Sequence, residues 1–239
     1  MPYRSLCTSE GHAQLGCMDR SDARMLRVQN PWLKLPGESD YILEIDRESI
    51  KRYNESRRRE DRRVNLKSVP EPFIGNPESA RVVLLSLNPG DSEDDLKAHS
   101  NHEFKKALFH NLSGESQNYP FYPLNPEFSW TGAGKWWLSR TRELREAGLN
   151  DATIAERLFV IEWFPYHSRK SEFPNKRVCE SQYYSFHLAK EMLEEKKLVV
   201  GMRSRKKWIE VDQRFGEVSI SKESSMRPHQ PKQHGGKRA

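Results

Sequence analysis

The sequence predicts an α/β fold, a three-layer α/β/α arrangement around a central, four-stranded, mostly parallel sheet. Three observations lead there. Four short apolar runs, residues 81–87, 158–163, 198–201 and 217–220, have the length and β-branched content of strands. Segments with helical spacing separate them, and strands that alternate with helices pair in parallel. Three of the runs lead into polar, turn-forming sequence: Asn88-Pro-Gly-Asp91, Tyr166-His167-Ser168 and Ser224-Ser-Met-Arg-Pro228. In a parallel sheet those tips share one edge, where ligands collect.

In chain order, residues 1–30 mix Ser, Gly, His and Cys without periodicity and are expected to form a poorly ordered arm. Residues 31–223 read as one domain and 224–239 as a basic loop and tail. Residues 41–45 alternate well enough for a short strand, and 47–59 form a basic helix. Pro70, Pro72, Gly75 and Pro77 interrupt the chain before the strand at 81–87. Residues 99–109 read as a helix, and 118–137 as an aromatic loop punctuated by proline. Helices follow at 135–147 and 151–157, the second opened by Asp151 as a capping residue. Beyond the strand at 158–163, helices at 181–196 and 204–214 flank the strand at 198–201.

The chain has 239 residues, enough to bury a substantial core, and its six Trp and ten Phe argue against disorder. Lys and Arg total 40 against 34 acids, a net charge of +6. The excess is clustered at 51–67, at Arg203, Arg205, Lys206 and Lys207, and in the acid-free stretch after Glu223. Charge runs of this kind are commonly solvated faces, but with aromatics beside them they favour a polyanionic partner, nucleic acid before membrane. No stretch has the length of a membrane span, and residues 1–20 lack the apolar centre of a secretion signal. Cys7, Cys17 and Cys179 include no CxxC pair, so a four-cysteine metal site is excluded and no metal or cofactor is expected. A reducing cytoplasm is the expected compartment.

The strand tips carry the chemistry. Asn88 and Asp91 offer an amide and a carboxylate; Tyr166, His167 and Ser168 offer an imidazole and two hydroxyls. An amide can hold a water while an imidazole or carboxylate takes a proton, and a histidine can stabilise a leaving anion. The alternative is structural: Pro89 and Gly90 suit a tight turn, Asp91 suits a turn cap, and His167 suits a hydrogen-bonded core position. Glu162, next to the tip, suits either a structural pair or the recognition of an amino group on a base. Ser168, His167 and an acid also permit a small-molecule hydrolase, although a Gly-x-Ser-x-Gly elbow is absent. Walker A and GxGxxG loops are absent as well.

Ser86-Leu-Asn-Pro-Gly90 resembles the Gly-Ile-Asn-Pro-Gly first motif of the mismatch-specific uracil and thymine branch of the uracil-DNA glycosylase superfamily. The resemblance extends as a pattern over residues 70–230, with Ser224-Ser-Met-Arg-Pro228 in the place of the second motif. It departs in Ser86, in the letters of that second motif, and in Trp163-Phe-Pro-Tyr-His-Ser168, which differs from the usual uracil-reading strand. It implies a monomeric, metal-free DNA glycosylase that flips a nucleotide out of the duplex. Asn88 then positions the hydrolytic water, with Asp91 and His167 as the other catalytic candidates. Phe121 or Tyr122 stacks on the base, and Tyr166, Ser168 and Glu162 complete its pocket. Ser224, Ser225, Met226 and Arg227 enter the groove, with Arg203, Arg205 and Lys206 on the phosphates. The long aromatic loop 121–137 is compatible with the superfamily's anti-phage branch, which removes glucosylated 5-hydroxymethylcytosine. Trp136 and Trp137 suit either a sugar face or the core. Uracil or mismatched thymine is the alternative substrate, and a non-catalytic nucleic-acid binder the alternative function.

Overall fold

The computed structural model describes residues 28–38 and 40–220. The expectations for residues 1–27 and for the segment 224–239 lie outside them. Among the described residues the fold is α/β, built on a mixed sheet of five strands: β1 (Phe73–Ile74), β2 (Val82–Ser86), β3 (Leu158–Glu162), β4 (Leu198–Gly201) and β5 (Ser219–Ile220). Their spatial order is β1-β3-β2-β4-β5. The pairs β3–β2, β2–β4 and β4–β5 are parallel, and β1 runs antiparallel to β3.

The fifth strand, β1, corrects the expected four. It is two residues long and follows Pro70 and Pro72, which lack the N–H an interior strand must donate. At the sheet edge that lack is tolerated, and the Pro72 carbonyl still accepts from the Glu162 N–H at 2.9 Å. Gly75 ends the strand at φ +106°, and a Cβ there would meet the Leu158 carbonyl oxygen.

Eight helices among the described residues surround the sheet: α1 (Arg47–Glu55), α2 (Glu93–Ser100), α3 (His102–Ser113), α4 (Gly132–Arg140), α5 (Arg142–Glu146), α6 (Asp151–Arg157), α7 (Gln182–Glu194) and α8 (Arg205–Val211). Two expected helices are each split in two. Asn101 turns its side chain onto the Phe104 N–H and starts α3 afresh, and Thr141 separates α4 from α5 while its hydroxyl donates to the Trp137 carbonyl. The first residues of α6 are capped by Asn150, which accepts from the Thr153 N–H, and not by Asp151.

Residues 41–45 are not a strand. Tyr41, Ile42 and Leu43 are all buried, and a 3-10 turn at Glu44–Asp46 then exposes Glu44 and Ile45. Asp46 is buried instead, accepting from the Tyr166 hydroxyl at 2.7 Å and the Ser181 N–H at 2.9 Å. One apolar cluster runs from Trp32 through the sheet to Phe215. No helix among the described residues is long and apolar enough to cross a membrane.

Candidate active site at the C-terminal edge of the sheet

Strand β3 lies on one side of β2 and β4 on the other. The connections leaving β2 and β4 therefore diverge, which opens a crevice at the C-terminal ends of the strands. A cavity of about 360 Å³ occupies that crevice, lined by Ser86 and Asn88 from β2 and its loop, Glu162 from β3, and Arg203 after β4. Glu71, Asp91, Asp95, Trp136 and His167 complete the polar and aromatic wall. This volume is at the lower end of the ~300–1,000 Å³ typical of small-molecule sites.

Asn88 is half-buried, and its Nδ2 donates to the Pro89 carbonyl at 2.8 Å and to Ser168 Oγ at 3.1 Å. Both amide hydrogens are thus engaged, and the carboxamide oxygen makes no hydrogen bond among the described residues. That oxygen is the atom to which a water can donate. Asp91 also lines the cavity, its Oδ1 accepting from Asn65 Nδ2 at 2.9 Å. Asp95 closes a capping box with Ser92 at the start of α2. The N-terminus of α4 packs so closely there that a Cβ on Gly132 would collide with the Asp95 carboxylate.

Beneath the cavity lies a buried ion-pair network that sequence reasoning missed. His167 places Nδ1 on the Gly90 carbonyl and Nε2 on the Val69 carbonyl at 3.0 Å, with Glu71 Oε1 at 3.3 Å. Every one of these partners is an acceptor, so both ring nitrogens carry hydrogen and the imidazole is cationic. Burial opposes that charge, but the hydrogen bond and the charge of Glu71 overcome it and push His167 up to about 9. Burial likewise opposes the Glu71 carboxylate, and His167 and His99 hold it well below the usual range. Tyr122 donates to its other oxygen at 2.6 Å.

Glu71, His99 and His167 converge as metal ligands do. Hydrogen-bond direction decides otherwise. His99 Nδ1 accepts from the Val69 N–H at 3.0 Å, so Nε2 carries the ring hydrogen and points it at Glu71 Oε1 across 3.5 Å. A protonated nitrogen cannot ligate. Burial also lowers the His99 pKa and keeps it neutral beside His167.

Glu162 is the second buried acid. Its register partner across the β2–β3 pair is Ser86, so both side chains leave the same face of the sheet. It is 5% exposed, and its Oε2 has no hydrogen-bond partner. Burial is the main force that raises its pKa to about 8, with Glu71 adding to the rise and Ser86, Arg203 and His167 opposing it. At neutral pH Glu162 is a carboxylic acid.

The remaining expected site residues divide clearly. Ser168 joins the site through Asn88. Phe121 and Tyr122 do not line the cavity: Phe121 is fully buried edge-on to Trp137, and Tyr122 lies behind Glu71. Tyr166 points away, donating to Asp46 and stacking edge-on with Trp32. His167 touches the cavity wall but has no ring nitrogen left for a substrate, which corrects its expected role in stabilising the leaving base by a hydrogen bond. Arg203, Arg205 and Lys206 are exposed; Arg203 lines the cavity, while Arg205 is bonded to the Gly216 carbonyl and neither it nor Lys206 is in the lining. Ser224, Ser225, Met226 and Arg227 lie outside the described residues. Trp136 and Trp137 both line the cavity, Trp137 from within the buried core and Trp136 partly buried against it. The signal for Glu71, an acid between two prolines, has no pattern that distinguishes it from a loop.

No family model, curated protein or solved structure matches this chain. Its chemistry is read from its own geometry.

Proposed function

We propose that this chain is a monofunctional DNA glycosylase that hydrolyses the N-glycosidic bond of a flipped, modified pyrimidine. The reading rests on one observation: a carboxamide at the tip of β2, with both its hydrogens engaged and its oxygen free, over a cavity walled by Trp136, Glu162 and Arg203. The parallel strands β3-β2-β4-β5 with helices around them support the three-layer α/β/α arrangement that the resemblance to the uracil-DNA glycosylase superfamily implies.

In this mechanism the nucleotide leaves the stack because its glycosidic carbon is unreachable within the duplex. Trp136 packs on the flipped nucleotide, and Glu162 and Arg203 contact its base. Asn88 Oδ1 accepts from a water and aims it at the sugar carbon, while Asp91, in the same cavity lining, is the nearby carboxylate for the proton. The bond to the base breaks and the base leaves as an anion. The positive field of His167, held by Glu71, lies behind that charge without a proton transfer of its own. Exposed Arg203 and Lys206 meet the phosphates. The preferred substrate is glucosylated 5-hydroxymethylcytosine in phage DNA, acted on by a cytoplasmic monomer. Uracil and mismatched thymine are the alternatives.

The second reading, a non-catalytic nucleic-acid binder, draws on the engagement of both His167 nitrogens, which leaves no histidine to protonate the base. One assay decides between them. Duplex and single-stranded oligonucleotides carrying uracil, a G·T mismatch or glucosylated 5-hydroxymethylcytosine are incubated with protein and cleaved with alkali. Strand scission lost on the order of a hundred- to thousandfold in Asn88→Ala supports the glycosylase. Salt-sensitive binding with no scission on any substrate overturns it.

A further inference from the structure

The most unusual group in the cavity is Glu162. It is an acid almost fully enclosed at the end of a central strand, lining the site, with one oxygen that no protein atom satisfies. Buried polar atoms are paired in the great majority of cases, and an unpaired one at a site wall marks a place where a ligand supplies the partner. We propose that Glu162 reads the bound base as a neutral carboxyl group, donating one hydrogen bond and accepting one along the N3/C4 edge of a cytosine-type pyrimidine. The inference rests on the reading of this cavity as a nucleobase pocket and names what that pocket recognises.

The chemistry follows from the two forms of the acid. A carboxylate only accepts; it takes a hydrogen bond from the cytosine 4-amino group but meets the N3 lone pair with like charge. The protonated acid offers an O–H to N3 and a carbonyl to the 4-amino group, which matches both positions at once. The charged groups around Glu162 are Glu71 from the Pro70–Pro72 loop, His167 after β3 and Arg203 after β4, with Asp91 and Asp95 also in the cavity lining. Burial and the Glu71 charge favour the neutral form, which Arg203 and His167 oppose.

The test is a calorimetric titration of the full chain with 2′-deoxycytidine, whose N3 stays neutral from pH 6.5 to pH 9. With Glu162 titrating near 8, affinity falls about tenfold over that range in the wild type. Glu162→Gln, which keeps one donor and one acceptor without titrating, binds with a flat profile. The same nucleoside lacking its 4-amino group (the pyrimidin-2-one) binds at least tenfold more weakly than 2′-deoxycytidine to the wild type. Because the variant retains Glu71, His167 and Arg203, a pH dependence surviving in Glu162→Gln assigns the titration to them and overturns the proposal. A flat wild-type profile, equal affinity for the pyrimidin-2-one, or no binding of 2′-deoxycytidine at pH 6.5 overturns it too. Binding without strand scission leaves this inference standing and removes the glycosylase reading; scission with a flat binding profile does the reverse.

Discussion

The Asn88 carboxamide donates to the Ser168 hydroxyl across 3.1 Å and so ties the loop after β2 to the loop after β3. The two residues are 80 positions apart, and parallel pairing of their strands brings them together. Ser168 is buried and makes no direct claim on the cavity, so its contribution is the orientation of Asn88. Ser168→Ala is therefore expected to lower kcat for base release about tenfold or more while KM stays within a factor of two, since misplacing a positioned group acts on the chemical step. Steady-state kinetics on the oligonucleotide that the wild type cleaves best, with a melting curve to show an intact fold, checks this. A change confined to KM would show that Ser168 contacts substrate instead.

The Glu71–His167 pair makes a prediction about protonation. His167 is raised from 6.5 to about 9, so its contribution to stability is complete below 6.5 and is lost as pH rises through 9. Glu71 is depressed, so its contribution is present above its ordinary 4.5 and is lost only as pH falls through its lowered value. Glu71→Gln strips the cation of its counter-charge and is expected to destabilise the protein by about 3–5 kcal/mol. Nitrogen NMR of the imidazole rings should show the wild-type His167 doubly protonated at pH 7.5 and the variant's ring neutral. A ring that stays charged in the variant would assign its raised pKa to the backbone carbonyls alone.

Glu162 has the opposite sign. The unfolded chain releases this proton near 4.5, whereas the folded protein keeps it until about 8. Between those values the unfolded state binds fewer protons, so this group lowers stability as pH rises. Glu162→Gln removes the penalty and is expected to stabilise the fold by on the order of 1–3 kcal/mol at pH 7, with a gain that grows toward pH 8. Urea unfolding of both proteins at pH 5, 7 and 8 measures it. An equal difference at all three values would mean that the side chain is already ionised at pH 5.

Adjacent tryptophans should behave differently. Trp137 also reaches the cavity wall, but it is 5% exposed and meets Phe121 edge-to-face at 4.8 Å, so Trp137→Ala is expected to cost about 3–5 kcal/mol in stability. Trp136 is only partly buried, lines the cavity and has the Arg140 guanidinium over its ring. Trp136→Ala is expected to cost less than half as much while weakening nucleoside binding about tenfold or more. Denaturant unfolding and nucleoside titration, run on both variants, separate the two roles; equal losses in both measurements would remove Trp136 from the pocket.

Strand-to-tip reasoning succeeded where short-range chemistry is self-sufficient. The apolar β-branched runs at 82–86, 158–162 and 198–201 can only be buried strands, and the polar residues beyond them mark the edge where Asn88, Ser168 and Glu162 meet. Residues 41–45 misled because Leu43, Glu44 and Ile45 alternate as a strand would, whereas the turn at Glu44–Asp46 leaves Ile45 exposed and Asp46 buried. Phe121, Tyr122 and Tyr166 misled because an aromatic in a loop reads the same whether it faces a pocket or fills a core.

By itself the sequence determined the α/β class, the three central strands and the placement of Asn88 at a strand tip, because periodicity and turn chemistry act over a few residues. The tertiary structure alone decided which polar groups share a cavity, which histidine is charged and which acid is neutral. Protonation follows from partners 28 and 96 positions away, Glu71 with His99 and with His167, and from the exclusion of water, and neither is written in local pattern.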